Sequence, residues 1–240
     1  MGEVTTPKNL KQSIRYLRML AIFLLIIHCA FLSSPPAVVA ADPATVAFSL
    51  DFPSSDPERY SISVDSSGHA RYECSVKISA DSEERESYQT DFTLSEATRS
   101  RIFDLAAQAH YFSGKIDSGN KKLAFTGAKK LTYKDGQRDS TAAYNYSQQP
   151  AVQQLTNLFQ GVAATLEFGR RIAHYHRYQK LALDEELKRM ENEARGGSLA
   201  EIQAAQSVLQ EVYDDASVIN VVRARAQRII AIGKAEGVRR

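Results

Sequence analysis

The fold of this chain is decided by residues 60–76, which read YSISVDSSGHARYECSV. Apolar side chains occupy every second position from Tyr60 to Val64 and again from Ala70 to Cys74. A period of two is typical of a strand with one buried face and one wet face. Gly68 can adopt the positive φ of a tight turn between the two runs. This stretch therefore predicts an antiparallel hairpin.

The same alternation continues on both sides of this hairpin. Residues 46–50 and residues 88–94 each place apolar side chains at every second position. Residues 130–134 and 140–146 alternate as well, and they flank Asp135-Gly136, a two-residue turn signal. The sequence thus predicts further strands and a second hairpin in one antiparallel sheet.

The period changes from two to about 3.6 after Thr93, which indicates a helix. Thr93 and Glu96 have the spacing of a capping box, and Ser95 is an alternative N-cap. Pro150 opens a second helical pattern, for which Gly169 is the predicted end or kink. We expect these helices, over residues 95–112 and 150–168, to cover one face of the sheet.

Residues 170–240 have a helical pattern that lacks strand signals. Leu183, Leu187 and Met190 form a narrow apolar stripe, and Gly196-Gly197 is expected to end that helix. Its wet face is predicted to carry the i,i+4 pairs Asp184–Lys188, Glu185–Arg189 and Glu191–Arg195. Ser198 and Glu201 have capping-box spacing, and two further apolar stripes end near Ile230.

These patterns predict an α+β fold, in which an antiparallel sheet with two helices packed on one face is followed by a helical hairpin extension. The predicted divisions are residues 1–41 as a signal peptide or N-terminal anchor, residues 43–168 as the α+β domain, and residues 170–240 as the helical extension.

The first 41 residues have the layout of an export signal. Four basic residues precede an apolar run over residues 19–32, which is shorter than the ~20 apolar residues that a spanning helix needs. Small residues follow, so cleavage is expected after Ala40 or Ala41. The expected location is extracytoplasmic, either periplasmic or secreted. If the run is retained, it is instead a single-pass N-terminal membrane anchor, while lipid attachment at Cys29 is disfavoured by the preceding His28.

The charge balance gives no indication of a nucleic-acid partner. Of 30 Lys+Arg and 28 Asp+Glu residues, residues 1–41 hold four and one, which leaves 26 basic and 27 acidic residues. The remaining net charge of −1 provides no bulk basic field. The same cleavage leaves Cys74 as a single cysteine, which its strand position predicts to be buried.

Two clusters of side chains have both a functional and a structural interpretation. His174 and His176 are two residues apart, whereas a metal-binding pair on a helix needs i,i+4 spacing, so surface histidines are the favoured interpretation. The arginines near the C-terminus could form a basic patch, but a solvated helix face is favoured: Arg223, Arg225, Arg228, Arg239 and Arg240.

Three other groups have ordinary structural explanations beside the functional ones. Asp117, Asp135 and Asp139 lie near glycines, where turn chemistry is favoured over calcium binding. An aromatic groove is possible, although sheet packing is favoured, for the side chains of Tyr111, Phe112, Tyr133, Tyr144 and Tyr146. Residues 145–147 form a glycosylation sequon inside an expected strand.

The order of these signals resembles small exported bacterial domains of unknown function. The resemblance rests on residues 60–65 with Gly68 and Tyr72, on residues 92–95, on Tyr111-Phe112, on the hairpin over residues 130–146, and on Pro150. It covers roughly residues 45–168 and implies the order hairpin, helix, hairpin, helix. It implies no activity for any residue, and the helical tail resembles additions found on such domains.

The sequence contains no nucleophile elbow, P-loop or dinucleotide fingerprint. No residue is therefore assigned a catalytic, cofactor-binding or metal-binding role. We expect a noncatalytic extracytoplasmic binding or scaffolding module. Its expected partner is another envelope protein at the helical extension, with no nucleic acid, and with membrane contact only if residues 19–32 are retained. The alternatives are an envelope hydrolase using His110, His174 or His176 with nearby carboxylates, and a membrane-anchored structural subunit.

Overall fold

A computed structural model describes residues 42–53, 55–77 and 84–239, with side chains described up to residue 235. The predicted signal or anchor over residues 1–41, its cleavage site, Cys29 and Arg240 lie outside the described residues. Residues 42–240 belong to one compact unit. In the part of the chain that is described, no helix has the length and apolarity that crossing a membrane requires.

The described strands form one antiparallel sheet of six strands in the order β4-β3-β2-β1-β5-β6. The strands are β1 (Thr45–Asp51), β2 (Arg59–Asp65), β3 (His69–Lys77), β4 (Arg85–Thr93), β5 (Ala128–Lys134) and β6 (Asp139–Tyr144). The predicted hairpins are β2–β3 and β5–β6. Strand β1 lies between them and joins the two hairpins into one sheet.

The period of two places one face of every central strand in the core. Phe48 on β1 is level with Ile62 on β2 and with Leu131 on β5, and all three side chains are buried. The intervening positions carry small or charged side chains that face water. A shift of one residue in this register would expose the whole apolar set, which is why the alternation specifies it strongly.

Two helices cover the buried face, and this confirms the α+β fold. Helix α1 is Glu96–Gln108, and helix α2 is Pro150–Tyr178. Ser95 is the N-cap of α1, because its side chain accepts a hydrogen bond from the backbone N–H of Thr98. On α2, the ring of Phe159 stacks on Phe48 of β1 with ring centroids 5.5 Å apart.

Helix α2 is longer than the sequence predicts. The expected end or kink at Gly169 is wrong, because the helix continues without interruption to Tyr178. Glycine costs about 1 kcal/mol in a helix interior. The neighbouring Phe168 and Ile172 are fully buried, and burying each such side chain contributes about 1.5–3 kcal/mol, so burial outweighs the glycine.

The C-terminal helical part packs on the second half of α2. It comprises α3 (Leu183–Gly196), a short 3₁₀ segment (Ile202–Ala205), α4 (Gln206–Asp214) and α5 (Asn220–Arg239). Gly197 ends α3 in the left-handed conformation, as predicted. The apolar stripes of these helices form a second hydrophobic cluster with Phe168 and Ile172 of α2.

Three local predictions are wrong because the side chains involved have other partners. Glu201 does not cap a helix with Ser198, since its carboxylate accepts hydrogen bonds from the backbone and side chain of Ser95 at 3.0 and 2.6 Å. Glu191 does not lie on a wet face, since it is buried between α3 and α5. The turn at Asp135-Gly136 has four residues rather than two, because Asp135 accepts hydrogen bonds from the N–H groups of residues 137 and 138.

Candidate functional site

A polar pocket of about 340 Å³ opens where β5, the end of β6 and the first turns of α2 meet. Four amide side chains line it: Asn145, Gln153, Asn157 and Gln160. The other lining side chains are hydroxyls, apart from one cation, Lys129. Ligand pockets of this size combine shape with a few placed polar groups, and here every lining side chain carries a polar group.

Lys129 is the charged group of this pocket, and it is buried with only 6% of its surface exposed. It lies two residues before Leu131 on β5, so the alternation of the strand turns it toward the core. Its Nζ donates to Thr126 O and Thr126 Oγ1, both at 2.9 Å, and to Asn145 O at 3.0 Å. These acceptors are neutral, and no ion pair to Lys129 exists among the described residues.

Burial lowers the pKa of the Lys129 ammonium below its usual value of 10.5. The three acceptors satisfy its hydrogen bonds but leave its charge uncompensated. Removing a charge from water costs several kcal/mol after relaxation, and an opposite charge nearby offsets part of that cost. An anionic group in the pocket would supply this opposite charge, so the electrostatics beside Lys129 favour an anionic ligand.

The remaining polar groups of the pocket hold each other in place. The hydroxyls of Tyr144 and Thr156 lie 2.5 Å apart, and burial raises the pKa of Tyr144 to about 12. Gln153 Nε2 donates to Tyr146 Oη and to Ser147 O, both at 2.8 Å. Tyr146 is 43% exposed and stands beside the opening. These contacts fix the lining before any ligand arrives, which lowers the entropic cost of binding.

The pocket holds its one cation by internal hydrogen bonds. A lysine nucleophile must present a free amine, whereas the Nζ of Lys129 already donates to three acceptors. Among the described residues that line the pocket, none is a carboxylate or a histidine, the side chains that most often serve as a general base. Its amides and hydroxyls both donate and accept hydrogen bonds, and such groups suit a polar ligand that carries several hydroxyl or carbonyl groups.

A larger groove of about 640 Å³ runs between α1, α2 and residues 197–200. Its buried lining consists of Thr98, Leu105, Leu199 and Ala200. Its charged members, Arg101 and Asp104, are exposed. The groove lacks the buried, uncompensated charge that distinguishes the pocket beside Lys129.

The histidines of the hydrolase hypothesis lie apart from both cavities. His110 and His174 are exposed, and His176 Nε2 lies 2.9 Å from Asp215 Oδ2. Asp215 also accepts a hydrogen bond from Lys180 at 2.7 Å and one from Ser217 at 2.6 Å. In a catalytic triad the serine bonds to the histidine, but here both bond to the carboxylate, so the arrangement is an ion-pair network.

Three of the C-terminal arginines, Arg223, Arg225 and Arg228, have partners inside the chain, while the side chains of Arg239 and Arg240 lie outside the described residues. Arg225 and Arg228 form ion pairs with the buried Glu191 at 2.9 and 2.7 Å. Arg223 donates to the backbone carbonyl of Tyr213 at 2.6 Å. All three guanidinium groups therefore donate to acceptors within the helical part of the chain.

The aspartates and histidines provide no metal site within the described ranges. Asp117 accepts hydrogen bonds from the N–H groups of Gly119 and Asn145, which lower its pKa. Asp135 pairs with Arg138 at 2.9 Å, and Asp139 begins β6. No group of three or more His, Cys, Asp or Glu side chains among the described residues could hold a metal ion.

The aromatic residues are divided between the core and the pocket. Phe112, Tyr133 and Tyr144 are buried, and the rings of Tyr111 and Tyr133 lie 4.6 Å apart. Sheet packing therefore explains most of the predicted groove, while Tyr144 and Tyr146 line the pocket.

Two further residues singled out in the sequence have internal partners. Asn145 of the sequon donates to Ala124 O at 3.0 Å and accepts from Thr126 N at 2.9 Å, so its amide is already engaged. Cys74 is a buried free thiol, and its pKa is raised to about 12 by burial and by Glu167.

In comparisons with known proteins, no family model, curated protein or solved structure matches this chain. The resemblance to small exported bacterial domains therefore stays a prediction.

Sequence reasoning missed Lys129, although a signal for it exists. The predicted strand began at Lys130, but Lys129, Leu131 and Tyr133 share one face when the alternation is extended by one step. A lysine at an inward position of a strand is unusual, because lysine is almost never fully buried without a partner. The amides of α2 carry no such signal, because only the fold brings them beside β5.

Proposed function

We propose that this protein is a noncatalytic extracytoplasmic binding module that holds a small polar ligand with an anionic group beside Lys129. The carrying observation is the buried, uncompensated ammonium in a pocket whose other lining side chains are amides and hydroxyls. A carboxylate or phosphate on the ligand would offset the desolvation of Lys129. The amides of α2 would bond to its neutral polar groups.

The test uses Lys129→Met, with Lys130→Met as its matched control. Lys130 is the next residue on β5 but points to the opposite, exposed face. We expect glucuronate and inorganic phosphate to raise the melting temperature of the wild type and of the control. In Lys129→Met the affinity should fall at least about tenfold, since the anion loses its opposite charge, and two unit charges about 4 Å apart near a protein surface attract each other by about 4 kcal/mol.

A second variant keeps the test valid if Lys129→Met fails to fold. Asn157→Leu fills the pocket from an exposed position on α2 and leaves the bonds of Lys129 intact. It should weaken the binding of the same anions without disrupting the fold. Anion affinity should also fall as the pH rises through the lowered pKa of Lys129. Equal anion binding by the wild type, Lys129→Met and Asn157→Leu would refute the proposed site.

A contact between the helical extension and another envelope protein remains a prediction. The apolar stripes of residues 183–230 are buried in the second cluster, so they are not available to a partner. The exposed apolar side chains in this part of the chain are Tyr178, Leu181, Ile219 and Val221.

A further inference from the structure

Residues 115–134 concentrate positive charge that the chain as a whole does not have. They contain six lysines and one acidic residue, whereas residues 42–240 carry a net charge of −1. Except for Lys129, these lysines are exposed: Lys115, Lys121, Lys122, Lys130 and Lys134. None of these five has an ion pair within 4 Å among the described residues. The carboxylate of Asp117 is occupied by backbone N–H groups instead.

The same segment also exposes two large apolar side chains. Residues 115–125 form the connection before β5, which we name the lysine loop. Within it, Leu123 is 40% exposed and Phe125 is 58% exposed, directly after Lys121 and Lys122. Apolar side chains kept in water forgo the free energy that burying their surface would release.

Hydrogen bonds hold the lysine loop in this exposed conformation. Asn145 Nδ2 donates to Ala124 O at 3.0 Å, and Asn120 Oδ1 accepts from Lys122 N at 3.0 Å. The ring of Phe125 lies beside the half-buried Phe52, with 6.0 Å between the ring centroids, and more than half of its surface stays exposed. The loop is therefore built to present these side chains rather than to bury them.

We propose that the lysine loop docks on an anionic lipid surface. Lys115, Lys121 and Lys122 would contact lipid phosphates, while Leu123 and Phe125 would enter the boundary between headgroups and acyl chains. Unpaired lysines next to exposed apolar side chains complement such a surface in both respects, since it offers negative charge outside and an apolar layer beneath. The contact depends neither on a ligand beside Lys129 nor on whether residues 19–32 are retained.

The test uses the full chain and measures how deeply the loop itself enters the lipid. This depth is read at position 123, so lipid binding by residues 19–32 does not produce the signal. In a Cys29→Ser background, Leu123→Cys is labelled with an environment-sensitive fluorophore, and Cys74 is protected by its burial. We expect a blue shift and quenching by a lipid-borne quencher in phosphatidylglycerol vesicles. Both should be absent in phosphatidylcholine vesicles and should be lost when Lys121→Gln and Lys122→Gln are added.

Two matched controls localise the contact. The first is Leu181→Cys with the same label, because Leu181 is fully exposed on the helical part. The second adds Lys188→Gln and Lys234→Gln to the loop-labelled protein. The label at position 181 should show no blue shift in phosphatidylglycerol vesicles. The two distant substitutions should leave the blue shift at position 123 unchanged. The proposal is supported if phosphatidylglycerol vesicles shift the fluorescence of the label at position 123 and not at position 181. The shift at position 123 must also persist in the protein with the two distant substitutions.

Four outcomes would overturn it. The first is no shift at position 123 in any vesicle. The second is an equal shift in phosphatidylcholine vesicles, which would mean that the loop does not distinguish anionic from neutral lipid. The third is a shift at position 181 without one at 123. The fourth is a shift at 123 produced by soluble polyaspartate and not by vesicles, which would assign the loop to an acidic protein instead.

Discussion

At the scale of single residues, the buried carboxylate of Glu167 is held from both sides. It is buried on α2, and its Oε1 accepts the hydroxyl proton of Tyr72 at 2.7 Å. Its Oε2 accepts two hydrogen bonds from Arg170 at 2.9 and 2.7 Å. Cys74 Sγ lies 3.3 Å from Oε1, and burial, together with the nearby carboxylate, raises the pKa of both Tyr72 and Cys74. The carboxylate of Glu167 on α2 thus accepts a hydrogen bond from Tyr72 on β3, and this contact holds the helix against the sheet.

Glu167→Ala should lower the free energy of unfolding by about 3–5 kcal/mol, because it leaves Arg170 and Tyr72 without their partner. Glu167→Gln keeps an acceptor for Tyr72 and should cost less than Glu167→Ala. Urea unfolding followed by far-UV circular dichroism measures both. Glu185→Ala is the control, since its exposed contact with Lys188 is 3.6 Å long and such pairs contribute about 0–1 kcal/mol. A cost for Glu167→Ala as small as that of the control would contradict this role.

At the scale of elements, α3 and α5 are joined by Glu191. Its carboxylate pairs with Arg225 and Arg228 on α5 and with Arg195 on its own helix. These contacts, led by the hydrogen bond to Arg228, lower the pKa of Glu191 from 4.5 to about 2. Because the folded pKa is the lower one, the stabilisation is complete above about pH 4.5 and is lost as the pH falls through about 2.

Glu191→Gln should therefore destabilise the protein at pH 6, and the difference from the wild type should narrow between pH 4.5 and pH 2. Urea unfolding at several pH values measures this difference. Glu211→Gln, at an exposed position on α4, should show no such dependence. If the gap between wild type and Glu191→Gln stays constant down to pH 2, the ionised carboxylate is not its source.

The limits of prediction from the sequence also lie at the scale of elements. Strands such as β2 and β3 are encoded locally, because neighbouring residues alone establish a period of two. The role of Glu201 is not local, since its partner Ser95 is 106 residues away in the chain. The pocket beside Lys129 depends in the same way on bringing α2 to β5. Burial of Phe168 and Ile172 overrides the helix-breaking tendency of Gly169, and that too is a tertiary effect.

At the scale of the whole molecule, α2 belongs to both hydrophobic clusters. Phe159 and Val162 pack in the cluster under the sheet, and Phe168 and Ile172 pack in the helical cluster. Gly161 permits close approach of the following segment, since a Cβ there would lie 2.9 Å from Ser198 O. A single helix that supplies both clusters couples their unfolding, because either cluster loses part of its core when α2 unravels.

We therefore expect one cooperative transition, which Leu187→Ala tests from the helical side. Leu187 is fully buried in the helical cluster, so its truncation should cost about 2–5 kcal/mol. If the two clusters unfold together, native-state amide exchange should show an equal loss of protection in β2, where Leu187 has no contact. Phe159→Ala, made under the sheet, should reduce the protection of α3 in the same way. Loss of protection confined to the mutated cluster in both variants would mean that the sheet and the helical part unfold separately, and that α2 breaks between them.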